Sequence, residues 1–477
     1  MILALTMVFA LAACGRGNEG GSDKGGNEGR TDAGDGSGVF MAGFGMVDIT
    51  PKDAVPLDSY GDAKDRISTG MYSYLEARSV VVKDENGDML VFIVGDVSWC
   101  PSNLGGKIKT GLSKELGIPE THIILSGTHT HASVATGLTE LPGVAAFNAR
   151  YVDGMMEAAR LAVADLKPAQ AYQGSIQTEG LNFVRRYIMD DGSLIGDGAR
   201  GTGTKIERHE TEVDAELQLL KFVREGGKDI LIANFQCHPH LEGKTTNVSA
   251  QVVGTFRDAV EADMGVHCFY WQGAAGNINS KSRISEENRT LDRKEWGALL
   301  KGYAKQAYDT LAPVATGPVK VMEVTYAGKV NHANDHLLMQ AQDVRYYFDQ
   351  GHTTTEAGNY AYENYGINTI QHANRIIANA KLPETKDMLL AAWSFGEIAG
   401  VVLPYELFDV SGMQMKERSP FARTFIVGYS YPAYCGYIPA DYAYDIGGYE
   451  VDNSTFAKGT AEEMVTEYLN MLEQMHK

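Results

Sequence analysis

Cysteine is scarce. The chain of 477 residues has five, at positions 14, 100, 237, 268 and 435, and no CxxC pair. So few and so scattered, they make no disulfide framework, and the four beyond Cys14 read as buried thiols. Positive charge is also short: 42 Lys and Arg face 61 Asp and Glu, a formal net charge of -19. A surface of that sign repels phosphate backbones and argues against nucleic acid as a partner. No internal repeat is visible. The opening apolar run, Met1 to Ala13, is too short to cross a bilayer as a helix. What is present is ample apolar material, 44% of residues, enough for a large core in one big domain or two smaller ones.

The amino terminus stands apart. Met1 to Ala13 ends in Leu11-Ala12-Ala13-Cys14, which resembles a bacterial lipoprotein signal with Cys14 as the lipidated residue. It departs from the usual pattern in having no Lys or Arg ahead of the apolar run. Residues 15–38 are mostly Gly, Asp, Asn, Ser and Glu and read as a flexible tether. The expected organisation is a signal over 1–14, a tether over 15–38 and one catalytic domain over 39–477. The expected location is the bacterial cell envelope, outside the cytoplasm, with membrane attachment through Cys14.

Phe40 to Pro51 predicts a strand broken by glycines. Arg78–Lys83 and Met89–Val94 flank Asn86-Gly87, a hairpin signal. Asp96 follows the second strand and fits either a site residue or a helix cap. Ser102–Gly117 predicts a helix with a capping serine and a closing glycine, and Arg150–Leu166 a second helix. Arg185 and Arg186 read locally as a solvated edge. Glu216–Val223 and Asp229–Phe235 predict a strand pair around Gly226-Gly227. Val252–Met264 predicts a helix, Cys268–Gln272 a short apolar strand, and 273–279 a loop small enough for a substrate or metal to approach its backbone. Leu291–Leu311, Asp335–Tyr347, Ala357–Leu382 and Thr460–Met475 predict helices, the middle two as a polar cover. Lys320–Tyr326, Leu389–Leu403 and Thr424–Tyr429 predict strands. The fold class is α/β: mixed sheets flanked by helices.

The stretch from His122 to Ala132 carries the chemistry. Ile123, Ile124 and Leu125 form an apolar run that leads into His129-Thr130-His131. On extended backbone, side chains two apart share a face. Two imidazoles together suit a metal ion, or one metal and one proton transfer. A polar turn with two solvated histidines is the alternative. Other strand ends deliver His238, Glu406 and Tyr437. Two histidines and a carboxylate are a common catalytic zinc set with a position left for water; zinc lowers that water's pKa to about 7 and polarises a carbonyl.

Six motifs in order, GMVDITP (45–51), SGTHTH (126–131), NFQCHP (234–239), QGAAGNIN (272–279), LPYEL (403–407) and YCGYIP (434–439), resemble the amino-terminal catalytic domain of the neutral/alkaline ceramidases. The resemblance implies a zinc amide hydrolase that cleaves an N-acyl bond, in ceramide or a related N-acyl lipid, to acid and amine. It implies His129, His238, Glu406 and Tyr437 as zinc ligands. It implies His131 and Arg185, with Arg186 as the adjacent competitor, in oxyanion stabilisation and proton transfer to the leaving nitrogen. The family has a serine where this chain has Asn279, and asparagine cannot be a nucleophile; Asn279 would line the pocket. A zinc–water mechanism survives that change and a serine acyl-enzyme does not. Two alternatives stay open: a zinc hydrolase of another ester or amino-sugar amide, and a non-catalytic binding lipoprotein on the same fold.

Overall fold

The computed structural model describes residues 38–60, 63–284, 290–432 and 436–477. The lipoprotein signal with Cys14, nearly all of the tether, and Cys435 lie outside the described residues. Nine strands form the main sheet: eight in the spatial order His267–Gln272, Ile230–Phe235, Glu216–Arg224, Lys167–Gln177, Met41–Asp48, Glu76–Lys83, Met89–Gly95, Ile123–Gly127, and the short Ala312–Pro313 paired beside Lys167–Gln177. A second sheet orders Val319–Lys329, Thr385–Phe395, Ile398–Val402 and Arg423–Val427. The two sheets face each other across an aromatic seam: Trp393 stands 4.7 Å from Phe92 and 5.6 Å from Trp271, ring centre to ring centre.

Helices cover the outer faces. On the main sheet α1 (Ser102–Leu116) and α2 (Val144–Ala164) pack through Ile108, Leu112, Tyr151 and Met155 onto Val81, Val91 and Ile93. Further along it α3 (Gln251–Met264) and α4 (Arg293–Tyr308) bury Phe256, Trp296 and Leu300 against Leu219 and Leu231. Three helices, α5 (Asp335–Asp349), α6 (Thr354–Tyr365) and α7 (Ile370–Asn379), share a small core of their own around Ala341, Val344 and Ile370. The second sheet is covered by α8 (Asp409–Arg418) and, after the short α9 (Asp441–Tyr444) and α10 (Tyr449–Asp452), by α11 (Thr460–His476). Each fully buried large apolar side chain in these layers contributes about 1.5–3 kcal/mol relative to exposure. The α/β class with mixed sheets is borne out.

Several details differ from expectation. The first strand is unbroken over Met41–Asp48. Its glycines serve packing: a Cβ at Gly43 would meet the Ala162 carbonyl oxygen at 2.0 Å, and one at Gly45 that of Ala158 at 2.1 Å. Bare backbone there lets α2 lie directly on the strand. Helix α1 follows Pro101 with no side-chain cap, and α2 starts at Val144 rather than Arg150. The stretch after Leu389 is a hairpin of two strands that turns at Gly396, φ +60°. Asp96 is a structural anchor. Its carboxylate pairs with Arg257 at 2.6 Å, accepts the Glu76 amide at 2.8 Å and accepts the Thr128 hydroxyl at 3.0 Å. The polar helices α5–α7 are no simple cover; Asn368 donates to Asp452 on α10 at 2.6 Å, and Arg375 to Thr455 at 2.9 Å.

Three parallel strand pairs, each crossed by one helix, position the site. Met89–Gly95 leads through α1 to Ile123–Gly127, Ile230–Phe235 through α3 to His267–Gln272, and Ile398–Val402 through α8 to Arg423–Val427. His129, His238 and Glu406 follow the carboxyl ends of three of these strands, where α/β sheets present their ligand crevices.

Candidate metal centre and active site

His129 sits just past the strand Ile123–Gly127 in left-handed backbone, φ +62°. The expected extended HTH run is therefore not what brings the two histidines together; a strained turn does so. Gln251 and Tyr429 at the site also have positive φ, +51° and +54°. Strain of this kind costs on the order of 1–3 kcal/mol per residue and clusters at functional sites. The turn is held from both sides. The His129 amide donates to the Val97 carbonyl at 3.0 Å, the Thr130 hydroxyl to Ser249 at 2.6 Å, and the His131 amide to the Gln251 side chain at 2.8 Å.

His238 follows the strand Ile230–Phe235, and its amide donates to Ile278 at 3.2 Å. Glu406 and Tyr437 pair as neighbours on two short parallel strands. The small residues of 273–279 accommodate the protein itself rather than a ligand: a Cβ at Gly276 would lie 2.5 Å from the Glu406 carbonyl oxygen, and one at Gly273 2.9 Å from Gln236.

The donor atoms converge. His129 Nδ1 lies 2.8 Å from the Ser98 carbonyl oxygen, and His238 Nδ1 2.8 Å from that of Ala275. A carbonyl only accepts, so both imidazoles carry their proton on Nδ1 and leave Nε2 bare. Those two Nε2 atoms stand 3.5 and 3.2 Å from Glu406 Oε2, an oxygen that is buried without a hydrogen-bond partner. His131 Nε2 is 3.1 Å from His129 Nε2. Ligands about 2.0–2.2 Å from a tetrahedral zinc stand roughly 3.3–3.6 Å apart. Lone pairs facing one another at these separations fit a cation. The residues present therefore suit a divalent metal, and among the described residues His129, His131 and His238 form a three-histidine group able to hold one.

Burial pushes the His129 imidazole down to about 3 and holds those of His131 and His238 well below the usual histidine range. Burial also raises the Glu406 carboxyl, against the opposing pull of His129 and Arg185. Tyr437 is hydrogen-bonded to Glu406, and burial drives its phenol far above the ordinary value.

Arg185 and Arg186 are both buried, not a solvated edge. Arg185 Nε donates to Glu450 at 2.8 Å and Nη1 approaches His238 Nε2 at 3.5 Å. Arg186 turns the other way, to Glu210 at 2.6 Å, and shares Glu450 at 2.9 Å. Of the two, Arg185 is the one at the cavity. Asn279 pairs with Phe183 on a short antiparallel bridge, and its Oδ1 is buried and unpartnered. Ser280 turns away and bonds Cys237.

One cavity of about 580 Å³ takes in His129, His131, Arg185, Asn279, Glu406 and Tyr437. Sequence reasoning missed further lining residues. His240 lies tilted against His131, ring centres 4.9 Å apart; its spacing from His238 repeats the HTH signal and could have flagged it. Tyr60 packs edge-on to His131 at 5.4 Å, and Asp58, Trp99, Asp197 and Tyr449 complete the wall. They come from loops and a short helix that carry no local pattern.

Comparison with known proteins points to one family. Residues 40–270 match the family model described as neutral/alkaline non-lysosomal ceramidase, N-terminal. Neutral ceramidases 2 and 1 of Arabidopsis thaliana are each 26% identical over 196 residues, covering 39% of this chain and 24% of the relative. The matched stretch thus spans about a quarter of each curated relative's length. Neutral ceramidase from Pseudomonas aeruginosa shares the fold with a TM-score of 0.70 at 16% identity, over 92% of this chain and 74% of that one. A ceramidase complexed with C2 gives 0.68 at 16% identity, over 92% and 75%. Over residues 40–270 the chain is therefore similar in sequence to the neutral/alkaline non-lysosomal ceramidases, and over nearly all its length it has the fold of the solved ceramidases.

Proposed function

We propose that the protein is a metal-dependent hydrolase of N-acyl amides, with ceramide the substrate that its relatives' names suggest. The observation that carries this reading is the convergence of two bare imidazole nitrogens on the orphaned oxygen of Glu406. His129, His238 and Glu406 would hold the metal, zinc by its donor chemistry, with Tyr437 beside Glu406 as the fourth donor. When bound, such a metal supplies Lewis acidity, lowering the pKa of water and polarising the amide carbonyl. Arg185, fixed by Glu450, offers a permanent cation to the oxygen of that carbonyl as charge develops on it. His131 moves a proton to the leaving nitrogen, so that the C–N bond breaks to a neutral amine and a carboxylic acid. Asn279 contributes hydrogen bonds and no nucleophile. Lipid attachment through Cys14 belongs to the same proposal, and Cys14→Ser would release the protein from membranes.

The test is release of primary amine from a panel of simple N-acyl amides, short-chain ceramide included, by zinc-loaded protein. Turnover abolished by a chelator and restored by metal is expected. Zinc-loaded protein that releases no amine from any of them would refute the reading.

A further inference from the structure

The cavity above the donor atoms is lined, among the described residues, without a single aliphatic side chain. Aromatic rings that also carry a polar edge line it, Tyr60, Trp99 and Tyr449 among them. Between the faces stand charges: Asp58 is partly buried and accepts the Ser59 amide at 2.8 Å, Asp197 lies half-exposed 3.9 Å from Arg185, and Arg375 reaches in from α7. Besides Glu406 Oε2 and Arg185 Nη2, three atoms around the cavity are buried with no hydrogen-bond partner: the Tyr60 hydroxyl, His131 Nδ1 and Asn279 Oδ1.

Buried polar atoms are nearly always satisfied, so three around one cavity mark positions that something else fills. A hydrocarbon chain could satisfy none of them and would strip water from Asp58, Asp197 and Arg375 with no return. A polyhydroxylated ring does the opposite. Its hydroxyls donate to carboxylates and Asn279 Oδ1 and accept from Arg375 and Tyr60, while its C–H face lies on an aromatic ring. The volume, about 580 Å³, is within the range of small-molecule sites.

We infer that the substrate is an N-acetylated amino sugar, deacetylated at this site, rather than a two-tailed N-acyl lipid. The inference rests on the amide-hydrolase reading and narrows its substrate. Water supplies OH to the acetyl carbon and H to the nitrogen; the C–N bond breaks, giving acetate and the free amino sugar. The polar rim binds the ring, and only a two-carbon acyl group needs room beside the donor atoms.

The experiment compares zinc-loaded protein on N-acetylglucosamine, its β-linked dimer and N-hexanoyl sphingosine, following amine release. A kcat/KM at least tenfold higher on an acetylated sugar than on the ceramide is expected. Asp197→Ala and Arg375→Ala should each raise the sugar's KM about ten- to a hundredfold, the weight of a hydrogen bond to a charged group. Calorimetric titration of the sugar dimer into metal-free protein should show binding weakened by the same variants. A ceramide turned over as well as the sugars, or neither variant altering sugar binding, overturns the inference and leaves amide hydrolysis standing. No amine from any of the three substrates overturns the inference together with the hydrolase reading on which it rests.

Discussion

Glu406→Gln should move metal affinity and metal-free stability in opposite directions. In the structure Glu406 Oε2 faces two bare imidazole nitrogens at 3.2 and 3.5 Å and has no donor of its own. Glutamine has the same shape and turns that acceptor into an N–H donor for His238 or His129. Relieving one orphaned buried acceptor is worth about 1–3 kcal/mol. With ΔS near 2.1 cal/mol/K per residue over about 440 folded residues, the metal-free variant should melt roughly 1–3 °C above the metal-free wild type. Metal reverses the order. Losing the carboxylate charge beside a divalent ion about 2.1 Å away removes about 4 kcal/mol even at the dielectric constant of water, on the order of a thousandfold in affinity. At a metal concentration a hundred times the wild-type Kd, the wild type gains about 2.7 kcal/mol and the variant almost nothing. Thermal melts of both proteins with chelator and with zinc read all four states. A metal-free variant less stable than the wild type, or one that zinc still protects, would refute the lone-pair argument.

Three other outcomes follow from the packing and the charges. Arg185→Met should lower kcat/KM by about 10²–10³ with metal content unchanged, since Glu450 keeps Arg186 at 2.9 Å; parallel kinetics and elemental analysis check it, and loss of metal would place Arg185's role elsewhere. Gly45→Ala puts a methyl 2.1 Å from the Ala158 carbonyl oxygen and should destabilise by about 3 kcal/mol, the upper end for overpacking; an unshifted denaturant midpoint would contradict the close approach of α2. Asp96→Asn unbalances the buried Arg257 and should cost about 3–5 kcal/mol, measured in the same way, with a neutral result refuting its role as anchor.

Much of the site was legible as strand ends. Apolar runs into His129, His238 and Glu406 marked where the parallel strands stop, and the three pairs do bring the donor atoms of those residues together. The local backbone was less legible. Period-two reasoning joined His129 to His131, yet the two meet through a left-handed residue held by Val97 and Gln251, from distant parts of the chain. Arg185 and Arg186 looked like surface because their shared counter-charge, Glu450, lies some 264 positions further on. Gly43 and Gly45 read as breaks because nothing nearby in sequence announces that α2 will press on them. Tyr60, Asp197 and Tyr449 reach the cavity from segments with no periodicity, so only the assembled fold brings them into view.

The most direct test of the metal centre is elemental analysis of purified protein, wild type against His238→Ala. The account predicts one divalent metal per chain in the wild type and loss of it in the variant, together with loss of chelator-sensitive amide hydrolysis. A wild type that takes up no stoichiometric metal, or a variant that keeps both metal and activity, would contradict it.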